Sequence, residues 1–190
     1  SLTYRDKDSE LNINNGTYLQ MLTQIGREGY GSDIDFAKAV VEATLIRTFN
    51  NVHRITIRGE AGVIKTNSFD EVPTSLRFYA GGDKSVRGFD YREISPTAEV
   101  IDPETGELII DSIGGKYLAT SSVEYAYHVA DNWRVAAFVD AGTATNDTST
   151  TLTYSVGPGV HWLSPIGPVR LYVARGFAPD ENTWQLHILL

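Results

Sequence analysis

The chain has 190 residues, which is enough for one domain with a hydrophobic core. Its 24 acidic and 16 basic residues give a net charge of −8, which argues against a nucleic-acid-binding protein because phosphate contacts need clustered Lys and Arg. The chain contains no cysteine, so disulfides and thiolate metal sites are excluded. It opens within a strand pattern, and we therefore expect a fragment of a longer protein.

Alternating apolar and polar residues predict β-strands along nearly the whole chain. The predicted strands cover residues 1–7, 17–26, 36–49, 52–66, 117–129, 133–142, 152–162, 169–176 and 184–190. Residues 36–49 are rich in alanine, and a helix is the alternative there, although the apolar residues recur at every second position. The polar segment 8–15 closes with Asn15 and Gly16, which predict a hairpin, since both residue types tolerate a positive φ.

Long connections alternate with tight turns along the predicted strands. The long ones are residues 27–35, 67–116, 143–151 and 177–183, and the short ones are 50–51, 130–132 and 163–168. This alternation is typical of an outer-membrane β-barrel, which has short periplasmic turns and long extracellular loops. A soluble β-sandwich is the alternative. The polar face of 52–66, with Arg54, Arg58 and Glu60, would be the exterior of a sandwich but the wet lumen of a barrel.

The connection 67–116 is unusually long, and loops of this length are usually functional or disordered. Its middle, Leu76 to Tyr91, reads LRFYAGGDKSVRGFDY and combines glycines with opposite charges. Its last part, residues 97–115, predicts a small exposed hairpin that turns at 102–106. We therefore expect an ordered loop that carries a separate hairpin.

Arg87 lies within this loop and needs a counter-charge if the loop enters a barrel lumen. Glu124 and Asp140 lie on the polar faces of the next two predicted strands. Because a guanidinium binds carboxylates in bidentate geometry, these two acids are candidate anchors for the loop. The alternative is a solvated arginine that is unrelated to both acids.

Catalytic patterns are absent from the sequence, and we predict neither an enzyme nor a metal or cofactor site. The four histidines, His53, His128, His161 and His187, have no metal-ligand spacing, and no GxSxG motif is present. We interpret the histidines as strand residues that face a lumen or an interface.

Three motifs resemble those of the outer-membrane assembly and two-partner-secretion transporter superfamily. They are Ser85–Phe89 (SVRGF), Phe138–Gly142 (FVDAG) and Ser122–Tyr125 (SVEY). Gly81, Gly82, Val86, Gly88 and Phe89 match its loop motif. The combination is most similar to the TamA family, the outer-membrane subunits of the translocation and assembly module.

This resemblance implies an all-β, antiparallel, up-and-down transmembrane barrel over residues 1–190, with about nine C-terminal strands of a sixteen-stranded barrel. It implies that Arg87 reaches into the lumen and contacts Glu124 and Asp140. The last strand would form one side of the barrel seam, with the seam residues Trp184, Leu186, Ile188 and Leu190.

The resemblance also implies a function without covalent chemistry or cofactors. The protein would insert or secrete outer-membrane proteins such as autotransporters in the bacterial outer membrane. Its implied partners are unfolded substrate proteins, an inner-membrane-anchored subunit of the TamB type and the lipid bilayer, with no role for nucleic acid. A two-partner-secretion pore for one dedicated substrate is the alternative function.

Overall fold

The computed structural model describes residues 1–10, 12–29, 34–101, 106–147, 152–179 and 182–189. The strands are β1 Leu2–Lys7, β2 Gly16–Gly26, β3 Phe36–Phe49, β4 His53–Thr66, β5 Thr97–Ile101, β6 Leu108–Ser112, β7 Tyr117–Ala130, β8 Trp133–Thr145, β9 Thr153–Ser164, β10 Gly167–Phe177 and β11 Asn182–Leu189. Each of the predicted strands is present, and residues 36–49 form a strand, not a helix.

Nine strands form one antiparallel sheet in the order β1-β2-β3-β4-β7-β8-β9-β10-β11. Apart from the crossing from β4 to β7, every neighbour in the sheet is also the neighbour in sequence, which is the up-and-down connectivity of a barrel wall. Strands β5 and β6 form the separate hairpin of the long loop, and their residues Ile101 and Leu108 are exposed, as predicted. Its expected turn falls partly on 102–105, outside the described residues.

The two faces of the sheet have opposite polarity. On β7, Val123, Tyr125 and Tyr127 are exposed on the outer face, whereas Ser122 and Glu124 are buried on the inner face. Large exposed hydrophobic residues follow the same alternation on β8 to β11. An apolar exterior around a polar interior is the arrangement of a membrane barrel and the reverse of a soluble sandwich.

Both predicted hairpins are present, but within the described residues only one of them turns through residues of positive φ. Asn50 and Asn51 both have positive φ, 50° and 56°, and form the predicted tight turn between β3 and β4. Asn15 and Gly16 do not have positive φ. Instead, the Asp8 carboxylate accepts the backbone N–H groups of Asn14 and Asn15 at 2.9 and 2.8 Å, which closes a longer loop over residues 8–15.

The hydrophobic core lies between the long loop and the inner face of the wall. The loop begins with two short 3₁₀ helices, Phe69–Glu71 and Thr74–Leu76. Phe78 then pairs with Gly115, near the end of the same loop and two residues before β7 begins. The core residues are Ile34, Ile64, Phe69, Val72, Phe78, Ala80, Leu118 and Ala144. The loop is therefore packed as part of the fold and positions the residues that follow it.

The first and last strands of the sheet each have one neighbour within the described ranges: β1 pairs with β2, and β11 pairs with β10. No helix in the described part of the chain is long and apolar enough to cross a membrane.

Candidate functional site: a loop anchored in the lumen

Two glycines shape the loop before the anchoring arginine. Gly81 and Gly82 have φ of 103° and 90°, a region that favours glycine, and a Cβ on Gly81 would lie 2.3 Å from the Asp90 carbonyl oxygen. The Gly82 N–H donates to the Phe89 carbonyl at 3.0 Å, which closes a compact turn. Residues 83–88 are thereby folded back so that Arg87 points at the wall.

Arg87 is the most completely bonded charged residue at this site. Its Nε and Nη2 atoms donate to Oδ2 and Oδ1 of Asp140, each at 2.8 Å, in a bidentate pair. Its backbone N–H donates to Asp140 Oδ2 at 3.0 Å, and Nη1 donates to Glu124 Oε2 at 2.7 Å. Arg87 is 1% exposed and Asp140 is fully buried. The structure therefore brings Arg87, Glu124 and Asp140 together.

Neighbouring uncharged side chains also contact the Arg87 guanidinium. Ser122 Oγ accepts a hydrogen bond from Arg87 Nη2 at 3.1 Å. The guanidinium carbon lies 3.5 Å from the centre of the Phe138 ring and 4.6 Å from that of Tyr172, in cation–π contact. Burial alone would lower the pKa of Arg87, but the hydrogen bonds and charges of Asp140 and Glu124 raise it above its ordinary value. Arg87 is therefore charged at any pH the protein meets.

The rest of the loop motif fits against small residues of the wall. Val86 is fully buried, and a Cβ on Gly142 of β8 would lie 2.8 Å from its Cγ2 atom. A Cβ on Gly88 would lie 2.4 Å from the Cα atom of Gly176 on β10. Phe89 is buried beside the same glycine. Close backbone approach explains why glycine is required at Gly88 and at its contact in the wall.

The loop also contacts the last strand, which the sequence analysis missed. Thr183 Oγ1 donates to the Gly88 carbonyl at 2.5 Å, and His187 Nε2 contacts the Arg87 carbonyl oxygen. Both side chains lie on the inner face of β11. Strand alternation would have placed them there, but nothing in the sequence shows how deep the loop reaches.

The predicted seam residues lie on the other face of this strand. Trp184, Leu186 and Ile188 are exposed outward, and Leu190 lies outside the described residues. The loop therefore holds β11 from inside, while its apolar side faces outward.

The histidines do not form a metal site in the part of the chain that the structure describes. His161 is buried on β9, where its Nε2 atom is 2.9 Å from the Tyr172 hydroxyl and 3.7 Å from Glu124 Oε1. His53 Nδ1 is 2.7 Å from the Tyr125 hydroxyl on the outer face. With both Asp140 oxygens bonded to Arg87, the site is built to hold the loop, not to transfer a proton.

Comparison with known proteins places this architecture in a family. A family model described as the Omp85 superfamily domain matches residues 1–188. The outer membrane protein assembly factor BamA of Nitratidesulfovibrio vulgaris is 34% identical over 182 residues, covering 92% of this chain and 22% of that protein. BamA of Neisseria meningitidis serogroup B is 29% identical over 178 residues, covering 76% of this chain and 22% of that protein. The chain thus spans about a fifth of these relatives.

A solved structure shows the same fold. The crystal structure of BamA from Haemophilus ducreyi lacking POTRA domains 1–3 superposes with a TM-score of 0.81 at 22% identity, covering 98% of this chain and 40% of that one. The predicted antiparallel barrel fold is confirmed, and the soluble sandwich is excluded.

These relatives are named BamA, not TamA, so they support the superfamily and not the narrower resemblance. The chain belongs to the Omp85 superfamily and is part of a β-barrel of the bacterial outer membrane.

Proposed function

We propose that the chain forms the loop-bearing wall of an assembly factor that inserts unfolded outer-membrane proteins into the outer membrane. The observation that carries this proposal is the Arg87 anchor, which fixes residues 67–116 against the inner wall through Asp140 and Glu124. The names of the relatives, outer membrane protein assembly factors, support it. The function is not enzymatic, because insertion needs a lower barrier to membrane entry and forms no covalent bond.

The edge strand β11 is the element of the wall that we propose to act on the substrate. An unfilled strand edge offers backbone N–H and C=O groups that an incoming strand can pair with. Inside, Thr183 and His187 hold β11 to the loop. Outside, Trp184, Leu186 and Ile188 are exposed to the bilayer side. A strand fixed from within can present its edge in a constant position.

The test is an insertion assay with the full-length protein in liposomes, using an unfolded outer-membrane protein as substrate. We expect Arg87→Ala to reduce the insertion rate at least tenfold, because a loosened loop no longer positions β11. Lys84→Ala is the matched control, since Lys84 is an exposed basic residue of the same loop. Equal insertion by the two variants and the wild type would contradict the proposal.

A narrower role in a translocation and assembly module is a second proposal, with autotransporters as substrates and a TamB-type subunit as partner. It rests on the loop segments Ala80–Asp83 and Ser85–Phe89 and on the turn Ser164–Pro168. A secretion pore for one dedicated substrate would share the anchor. Isolation of the full-length protein from native membranes discriminates among these roles, because each predicts a different co-purifying protein.

A further inference from the structure

A row of basic side chains crosses the inner wall near its short-turn end. Arg134 on β8 is the register partner of His128 on β7 and of His161 on β9. His161 is in turn the register partner of Arg170 on β10. Arg54 on β4 pairs with Ala126, two residues from His128 along β7. Because register partners project to the same face, the side chains of this basic row share the lumen.

The basic row contains more buried positive charge than acid, since the one carboxylate beside it, Glu124 at 3.7 Å from His161, is shared with Arg87. Arg54 is 6% exposed and Arg134 is 5% exposed. Within the described ranges, the Arg134 guanidinium donates to neutral groups, the side-chain oxygens of Asn12 and Asn14 at 3.4 and 3.2 Å. Within the described residues, the side chains of Arg54 and Arg170 form no hydrogen bond or ion pair. Burying an arginine that lacks an ion-pair partner costs free energy. Binding of an anion at the row would offset that cost.

Nearby carboxylates are already engaged. Asp140 is bonded to Arg87 through both oxygens, and Glu124 is bonded to Arg87 at 2.7 Å. Glu42 and Glu60 border a cavity with Arg170, but within the described residues neither carboxylate forms an ion pair with it. The arginines of the row lie within electrostatic range of one another, and Glu124 is the carboxylate whose charge also reaches Arg54. The row therefore keeps a net positive charge.

The position of the row narrows the class of anion. It faces the lumen, so the phosphates of lipids, which reach only the outer face, are excluded. The short-turn end of an outer-membrane barrel is the periplasmic end, where unfolded chains arrive. Three guanidinium groups on alternate strands of the sheet, β4, β8 and β10, suit carboxylates, which they bind as planar forks. An extended acidic polypeptide segment meets all of these conditions.

We propose that the basic row, Arg54, Arg134 and Arg170 with His128 and His161, is a carboxylate-binding site. Its ligand is an acidic extended segment of the polypeptide that the barrel inserts. This inference rests on the proposed function and assigns a substrate contact to it. The row holds the acidic segment inside the lumen while the strands beside that segment pair with the edge of β11.

The test measures peptide binding to the full-length protein in detergent micelles by fluorescence anisotropy. The probe is a labelled extended peptide that carries aspartates, and its twin carries asparagines at the same positions. We expect the aspartate peptide to bind at least about tenfold more tightly, and Arg54→Gln with Arg170→Gln to remove that difference, since charge-assisted hydrogen bonds are lost. Arg47→Gln is the control, because Arg47 lies exposed on the outer face near the same end.

Folding of each variant is verified by the heat-dependent shift of an intact barrel on a gel. If the Gln variants do not fold, Arg54→Lys with Arg170→Lys replaces them, and we expect it to keep the preference for aspartate at reduced affinity. Equal affinity for the two peptides, or a preference that survives in the Gln variants, would overturn the proposal. So would stability lost in the Gln variants without peptide binding by the wild type, since a carboxylate of the protein itself would then fill the row.

Insertion by the wild type is measured in parallel. Normal insertion with no preference for the aspartate peptide overturns the carboxylate site and leaves the proposed function intact. Failure of insertion by the wild type counts against the proposed function itself.

Discussion

Two groups of arginines are buried on the same inner wall, and their surroundings are opposite. Arg87 comes from the loop and is surrounded by Asp140, Glu124 and Ser122, all within hydrogen-bonding distance. Arg54 comes from the wall and, among the residues that the structure describes, its side chain forms no ion pair; the carboxylate whose charge reaches it, Glu124, is already bonded to Arg87. Burial by itself thus does not reveal what an arginine does. A compensated arginine holds the fold together, whereas an uncompensated one is available to a ligand.

The largest effect that this contrast predicts is that of Arg87→Ala. The variant leaves Asp140 and Glu124 as buried charges without their partner, and we expect a loss of roughly 3–5 kcal/mol in the free energy of unfolding. We also expect protease cleavage within 67–116. Urea titration in micelles and limited proteolysis check both, with Lys84→Ala as control. An uncleaved loop and an unchanged unfolding midpoint would show that the anchor is dispensable.

Gly88→Ala tests the same anchor through packing. The added Cβ would meet the Cα atom of Gly176 at 2.4 Å and the Cβ atom of Ser155 at 2.6 Å. Overpacking of this kind costs about 1–3 kcal/mol. Urea titration measures the loss. Gly59→Ala is the matched control, because its Cβ would meet only the Thr120 carbonyl oxygen, at an ordinary 3.6 Å. Equal stability of the two variants would mean that the loop does not sit this close to β10.

Thr183→Val removes the hydrogen bond from β11 to the Gly88 carbonyl while keeping the shape of the side chain. We expect a loss of about 0.5–1.5 kcal/mol, confined to local opening of the last strand. Amide hydrogen exchange of β10 and β11 measures it. Thr23→Val on β2 is the control, since Thr23 is exposed on its strand. Unchanged exchange in β11 would argue that the loop does not hold this strand.

Arg54→Met is expected to change the free energy of unfolding least, and it compares the two arginines directly. Removing a buried charge that lacks a partner is neutral or stabilising, so we expect the free energy of unfolding to change by less than about 1 kcal/mol or to rise. The same substitution at Arg87 is expected to lower it by several times that amount. Urea titration of the two variants side by side makes the comparison. A large loss at Arg54 would mean that an acid outside the described residues pairs with it.

Strand alternation made most of the wall predictable. The period of two identified residues 36–49 as a strand despite their alanines, and it placed Glu124 and Asp140 on one face. The anchor residues followed from chemistry, because an arginine in a lumen needs acids, and from the resemblance of the motifs. These inferences needed no knowledge of distances between strands.

The sequence could not show features that depend on depth and register. The hairpin predicted at Asn15 and Gly16 is present, but its conformation was not predicted, because the Asp8 carboxylate accepts hydrogen bonds from the backbone of Asn14 and Asn15, a contact no dipeptide rule contains. The contacts of Thr183 and His187 depend on how far the loop enters the lumen. Likewise, the polar face of residues 52–66 indicated a water-filled lumen. The sequence could not show that Arg54, Arg134 and Arg170 form one row, because that depends on the register between strands.

The most direct test of the account is a double-mutant cycle between Arg87 and Asp140 in the full-length protein. The free energy of unfolding is measured for the wild type, Arg87→Ala, Asp140→Ala and the double variant. We predict that the double variant loses clearly less than the sum of the two single losses, with a coupling energy of up to about 3 kcal/mol, since each substitution already breaks the same bidentate pair. Losses that simply add, with a coupling energy near zero, would contradict the claim that Arg87 anchors the loop to the wall.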